Sequence, residues 1–168
     1  DGVFGVDFAA GRIRAYPRDG EPTDPVYSVR FVRGPENYGE QDLTGNGDGT
    51  LTDEATGLTW LQADSADPAF ADAVAGTTPG DGTLDWEEAL AFCADLDVAG
   101  IADWRLPNAK ELQSIVDQDR AAAGAAPVLD PLFATSTPAD PASGAGTGAY
   151  WTSTSAGPTK AYTVRFGP

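Results

Sequence analysis

The chain has 168 residues, with 10 Lys and Arg against 26 Asp and Glu, a formal net charge of -16. That balance excludes nucleic acid as a partner and opposes an anionic membrane surface, and no stretch approaches the roughly 20 apolar residues that a membrane helix needs, so no membrane insertion is expected. His is absent and Cys93 is the single Cys, which removes His-dependent triads, Cys/His zinc sites and any internal disulfide.

Leu, Ile, Val and Phe total 31 residues, close to the disordered range at this charge, but four Trp, five Tyr and seven Phe point to a real, small core. Without a Met or a signal pattern at Asp1, the sequence reads as an excised or processed piece of a longer protein. Taken in order, VFGVDF (3–8) and RIRAY (12–16) flank a short turn and predict a β-hairpin. VYSVRFVRG (26–34) alternates as a strand does, with Tyr27, Val29 and Phe31 on its more aromatic face. Residues 35–57 are polar and rich in Gly and Asp, LTWL (58–61) is a short strand, and 62–82 reads as a long loop.

Residues 85–97 carry the clearest helical period. Trp86, Ala89, Leu90, Cys93 and Leu96 fall on one stripe, and Asp85 with Glu88 resembles a capping box. A shorter helix starts after Asn108, with Glu111 at its third position and Leu112, Ile115 and Val116 inward. From 119 to 148 the composition predicts a connection with only a turn at VLDPLF, and YWTSTS with KAYTVRF forms a closing hairpin.

NGDGTLTDEATGLTW (46–60), WEEALAFC (86–93), DWRLPNAKELQSIVD (103–117) and YWTSTS (150–155) together resemble the Lcl C-terminal domain family, named after a bacterial collagen-like adhesin. The resemblance covers roughly residues 40–168. It implies an α+β fold like the C-type lectins and the formylglycine-generating enzyme: twisted antiparallel strands, two helices and long loops. It also implies a secreted or cell-surface adhesion domain that binds a glycan or a surface protein, the named adhesin being similar to a binder of sulfated polysaccharide.

The family's last strand resembles VRCVRG, which here stands near the start as VRFVRG (29–34). A tandem array cut out of phase explains this. Residues 1–34 are then the C-terminal strands of one repeat, and 35–168 the main domain without its own last strand. The vacancy is expected to be filled by permutation, by a neighbouring repeat or by a strand-swapped copy. The family's usual disulfide partner for Cys93 is replaced by Phe31.

Several residues carry competing readings. In DLTGNGDGTLTD, Asp42, Thr44, Asn46, Asp48, Thr50 and Asp53 occupy alternate and terminal positions of a loop of EF-hand length, suited to the hard oxygens that Ca2+ takes. The same residues suit a Gly/Asp hairpin whose side chains cap turn amides. Asp64, Asp67, Asp72, Asp81 and Asp85 have no ligand-count logic and read as a solvated loop, with a cation site as the alternative. Arg105 either supports the DWRLPN corner or contacts a ligand. Tyr150 and Trp151 either stack on sugar rings or belong to the core. Arg12, Arg14, Arg18, Arg30, Arg33 and Arg165 are the concentrated positive charge, fit for a sulfated glycan or for cross-strand neutralisation. With Cys93 on an apolar stripe, no catalytic set emerges, and the expectation is a non-enzymatic binding domain. A purely structural, self-associating module of a large surface protein is the alternative.

Overall fold

The computed structural model describes residues 2–7, 12–17, 28–35, 40–77, 81–124, 127–136 and 148–166. Two units make up the chain, Asp1–Glu36 and Asn37–Pro168, a boundary two residues beyond the expected one. In the first, β1 (Gly2–Asp7) and β2 (Arg12–Pro17) pair antiparallel from Gly2↔Pro17 to Asp7↔Arg12. The hairpin is as its alternation predicts. The turn at 9–11 and Arg18 lie outside the described residues.

Residues 28–35 form no strand, which corrects the strand expected over 26–34. Alternation makes a strand only when the segment pairs with another, and among the described residues the sheet of this unit consists of β1 and β2 alone. Val29, Phe31 and Val32 are left 71%, 93% and 97% exposed.

The second unit is a mixed α+β arrangement. A three-stranded antiparallel sheet runs β3 (Leu43–Gly45), β4 (Thr50–Asp53) and β5 (Leu58–Leu61) in spatial order. Its central strand is the most buried, through Thr50, Leu51 and Asp53. A 3-10 turn at Pro68–Phe70 and the short helix α1 (Ala71–Val74) stand where the sequence reads as loop. Asp67 starts that turn by accepting from the Ala69 amide, and Val74 anchors it inward. An Ala-rich turn with one apolar contact leaves no helical period to detect.

Helix α2 (Trp86–Asp95) has the expected box: Asp85 accepts from the Glu88 amide at 2.8 Å and Glu88 accepts from the Asp85 amide at 2.9 Å. Helix α3 (Ala109–Ser114) repeats the device with Asn108 and Glu111. Helix α4 (Gln118–Ala122), capped by Asp117 onto the Arg120 amide, corrects the expectation of an unstructured connection from 119 onward; residues 137–147 lie outside the described set. The closing hairpin is β6 (Ala149–Ser155) and β7 (Ala161–Arg165), with an irregular register between Trp151 and Ser155.

The core sits where α3 meets this hairpin: Leu112, Ile115, Leu129 and Phe166 are buried, and Trp60, Val116, Phe133 and Tyr150 pack against them. Two indoles tie α2 to β6. Trp86 Nε1 donates to the Thr152 carbonyl at 2.8 Å and Trp151 Nε1 to the Leu84 carbonyl at 2.9 Å.

Candidate functional site

The loop between β3 and β4 holds itself together. Asp48 Oδ1 accepts from the Thr50 amide at 3.0 Å and from its hydroxyl at 2.6 Å, which pulls the Asp48 carboxyl below the usual carboxylate range. Asn46 Nδ2 donates to the hydroxyls of Thr50 and Thr52. Gly47 and Gly49 supply positive φ values of 81° and 89° for the turn. The fully enclosed Asp53 takes the amides of Asp42 at 3.2 Å and Ala55 at 3.1 Å, and the Thr56 hydroxyl at 2.7 Å. Thr44 is exposed on β3. As arranged, the carboxylates of Asp48 and Asp53 serve their own turns, 48–50 and 53–57. Among the described residues no three His, Cys, Asp or Glu side chains are grouped to hold a metal ion.

The second acidic set disperses into separate duties. Asp81 accepts from the amide and hydroxyl of Thr83, which lowers its carboxyl from the ordinary value. Asp85 caps α2, Asp67 caps the 3-10 turn, and Asp72 is exposed on α1. Asp64 has a different role that the sequence reading missed. Its carboxylate accepts from the Ser136 amide and hydroxyl, both at 2.6 Å, from the Tyr150 hydroxyl at 2.8 Å and from the Ala66 amide at 3.2 Å. Only the Ala66 bond is local enough to leave a sequence signal, as an Asx turn. Nearby, the Ser65 hydroxyl donates to the Gly82 carbonyl, and Gly82 approaches Ala66 so closely that a Cβ would lie 2.3 Å from the Ala66 Cα.

Arg105 is a keystone in this arrangement. Its guanidinium donates twice to Glu111, at 2.8 and 2.7 Å, while Glu111 also accepts from the Asn108 amide. This pair holds the Glu111 carboxyl below its ordinary value, chiefly through the Arg105 bonds. A depressed folded-state pKa gives stability that is present in full above the unfolded pKa and is lost as pH falls through the folded one. Because Arg105 is 59% exposed, solvent screens the pair and its worth is at most about 0.5 kcal/mol. Glu111→Gln is therefore expected to flatten the acid limb of stability against pH slightly and leave neutral-pH stability nearly unchanged. Urea melts between pH 3 and 7 check this, and a loss above ~1 kcal/mol at pH 7 contradicts it.

Tyr150 and Trp151 are both half-buried. Tyr150 meets Phe166 edge-on at 5.2 Å between ring centroids, and its pKa is raised by burial first and then by its bond to Asp64. The stacking reading expects one exposed ring of the two; here both polar tips are engaged internally. Arg12 and Arg14 lie two residues apart in β2, in register with Asp7 and Gly5 of β1. Arg30 is exposed in the segment 28–35.

A cavity of about 1060 Å3 runs through the second unit. Every residue from Gly57 to Ala66 lines it on one side; Trp104, Trp151 and Phe166 line it on others, with Phe92 and Cys93 of α2. Trp60 Nε1 is buried and has no hydrogen-bond partner among the described residues. Burial pushes the Cys93 thiol up to about 11, so it is protonated and slow to react at neutral pH. Ellman labelling of the native protein at pH 7.5 is expected to lag the urea-unfolded chain by at least an order of magnitude; equal rates contradict this burial.

The model of the Lcl C-terminal domain matches residues 49–168. The chain belongs to the Lcl C-terminal domain family. No curated protein and no solved structure matches it. Membership carries the adhesin context: an extracellular or cell-surface Lcl C-terminal domain with a non-catalytic binding role. The matched span includes β4, β5, all four helices and the closing hairpin, so the capping boxes of α2 and α3 and the Arg105–Glu111 corner belong to the Lcl C-terminal domain itself. No helix among the described residues is long and apolar enough to cross a membrane.

Proposed function

We propose that this chain is an adhesion module that recognises an acidic, sulfated glycan or a surface protein, its Lcl C-terminal domain forming a scaffold of C-type-lectin type. The observation that carries the reading is the placement of positive charge. Half of the Lys and Arg, all of them Arg, fall within the first 36 residues, and Arg12 and Arg14 stand at alternate positions of β2. A polyanion meets there a nearly neutral unit rather than the acidic body. Binding through these residues weakens steeply with salt, since each Arg that neutralises a sulfate releases counterions.

The test is binding of the full chain to a sulfated polysaccharide and to its desulfated form, across an ionic-strength series. Preference for the sulfated chain, lost with Arg12→Ala/Arg14→Ala, supports the reading. Equal or absent binding of both polysaccharides overturns it. Arg30, Arg105, Tyr150 and Trp151 are secondary positions in this reading, and each is already engaged within the chain.

Calcium enters as a stabilising ion at Asp42, Thr44, Asn46, Asp48, Thr50 and Asp53. Its support is the oxygen spacing; its cost is displacement of the Asp48–Thr50 and Asp53–Thr56 bonds. An ion that binds only the folded state raises the melting temperature. Melting curves in EDTA and in calcium that superimpose remove the ion from the reading.

The self-associating structural module is favoured by one separate observation, the exposed apolar segment around Phe31.

A further inference from the structure

Strand β5 is the last strand of its sheet, and among the described residues nothing pairs with its outer edge between Leu58 and Leu61. Residues Gly57 to Leu61 line the 1060 Å3 cavity, and beyond them the Gln62 carbonyl already accepts from the Ala134 amide while its side chain donates to the Leu132 carbonyl. An open strand edge and an apolar slot ask for the same kind of occupant: an extended peptide that brings backbone hydrogen-bonding groups and alternating apolar side chains. A sugar or a lipid chain satisfies at most one of the two.

The chain carries a peptide of that kind. Val29, Phe31 and Val32 stand 71%, 93% and 97% exposed in a segment without secondary structure. Extended, the seven residues 28–34 span ~23 Å, enough to run the ~17 Å of the five residues from Gly57 to Leu61. Charge agrees as well. The segment 28–34 has two Arg and no acid, while residues 37–168 hold 5 basic and 20 acidic residues, a net -15.

We propose that the slot beside β5 takes residues 28–34 of a second copy of this chain as an added strand, with Phe31 as the apolar anchor. This gives an address to the self-association reading above and is independent of glycan recognition. Its failure therefore leaves the glycan test untouched. Exchange may close as a dimer or continue head to tail, and both outcomes depend on protein concentration.

The experiment is sedimentation velocity of the full chain over a concentration series, beside Phe31→Asp. Phe31 is exposed in the single chain, so Asp there leaves the circular dichroism spectrum and the melt of the monomer intact. Wild type is expected to move from monomer to larger species as concentration rises, and Phe31→Asp to stay monomeric. Phe31→Cys provides a second readout, because Cys93 lines the slot. Because the Cys93 thiol is slow to react, the readout is prolonged oxidation at alkaline pH, which is expected to link the introduced thiol to Cys93 of another chain and give dimers or ladders on a non-reducing gel. Cys93→Ser in the same background removes that linked peptide from the digest mass spectrum. A wild type that stays monomeric, an assembly that Phe31→Asp does not weaken, or a crosslink confined to single chains each overturns the proposal; the last assigns the slot to the chain's own segment.

Discussion

Phe166→Ala is expected to lower the unfolding free energy of the second unit by about 3–5 kcal/mol, the largest effect of any single side chain here. Phe166 is 2% exposed, packs with Leu112, Ile115 and Leu129, and meets Tyr150 edge-on. Its backbone is pinned on both sides, the amide donating to the Gly148 carbonyl at 2.9 Å and the carbonyl accepting from the Val128 amide at 2.7 Å. The site therefore has little freedom to collapse around the missing ring, and a void remains. For a unit of this size the change corresponds to a fall of ~10–20 °C in Tm. Urea titration with an unchanged m-value checks it. A loss under ~1 kcal/mol shows that the ring is not close-packed in solution.

Asp64→Ala is expected to cost about 2–4 kcal/mol, more than an acid in a loop is usually worth. Its carboxylate joins three segments that are 72 and 86 residues apart in sequence. Removal leaves the Ser136 amide and hydroxyl and the Tyr150 hydroxyl without their acceptor, and the cost of orphaned donors exceeds the net worth of the bonds. Tyr150→Phe deletes one of these donors and keeps the ring on Phe166, so it is expected to cost about 1 kcal/mol. In the double variant most of the Tyr150 contribution disappears, because its partner is already gone. Strict additivity of the two losses shows that the hydroxyl and the carboxylate do not interact.

The elements that local chemistry determines were readable in the sequence. Helix α2 shows its period and both halves of its cap within thirteen residues, and each hairpin shows its alternation. Helices α1 and α4 were not readable, since four or five residues, half of them Ala, show no period. The strand expected over 26–34 marks the opposite failure. Its pattern is strong, but a strand needs an edge, and pattern alone does not supply one. The loop at 42–53 shows a third limit: oxygens spaced for an ion and oxygens spaced for turn amides are the same residues. Asp64 differs from its neighbours Asp67 and Asp72 only through partners far along the chain, which no reading of the local stretch reaches.

The paired indole bonds, Trp86 to Thr152 and Trp151 to Leu84, span 66 and 67 residues. A chain emerging N-terminus first has α2, its capping box and the edge-on pair of Phe92 with Phe70 early, yet cannot fasten that helix to the closing hairpin until positions 151 and 152 are out. Closure thus waits for the β6 segment to emerge, and folding is governed by a long loop search rather than by helix formation. Until then the apolar stripe of α2 is exposed to other nascent chains. The abundant carboxylates, which give the folded molecule its charge, also keep those unfinished chains apart.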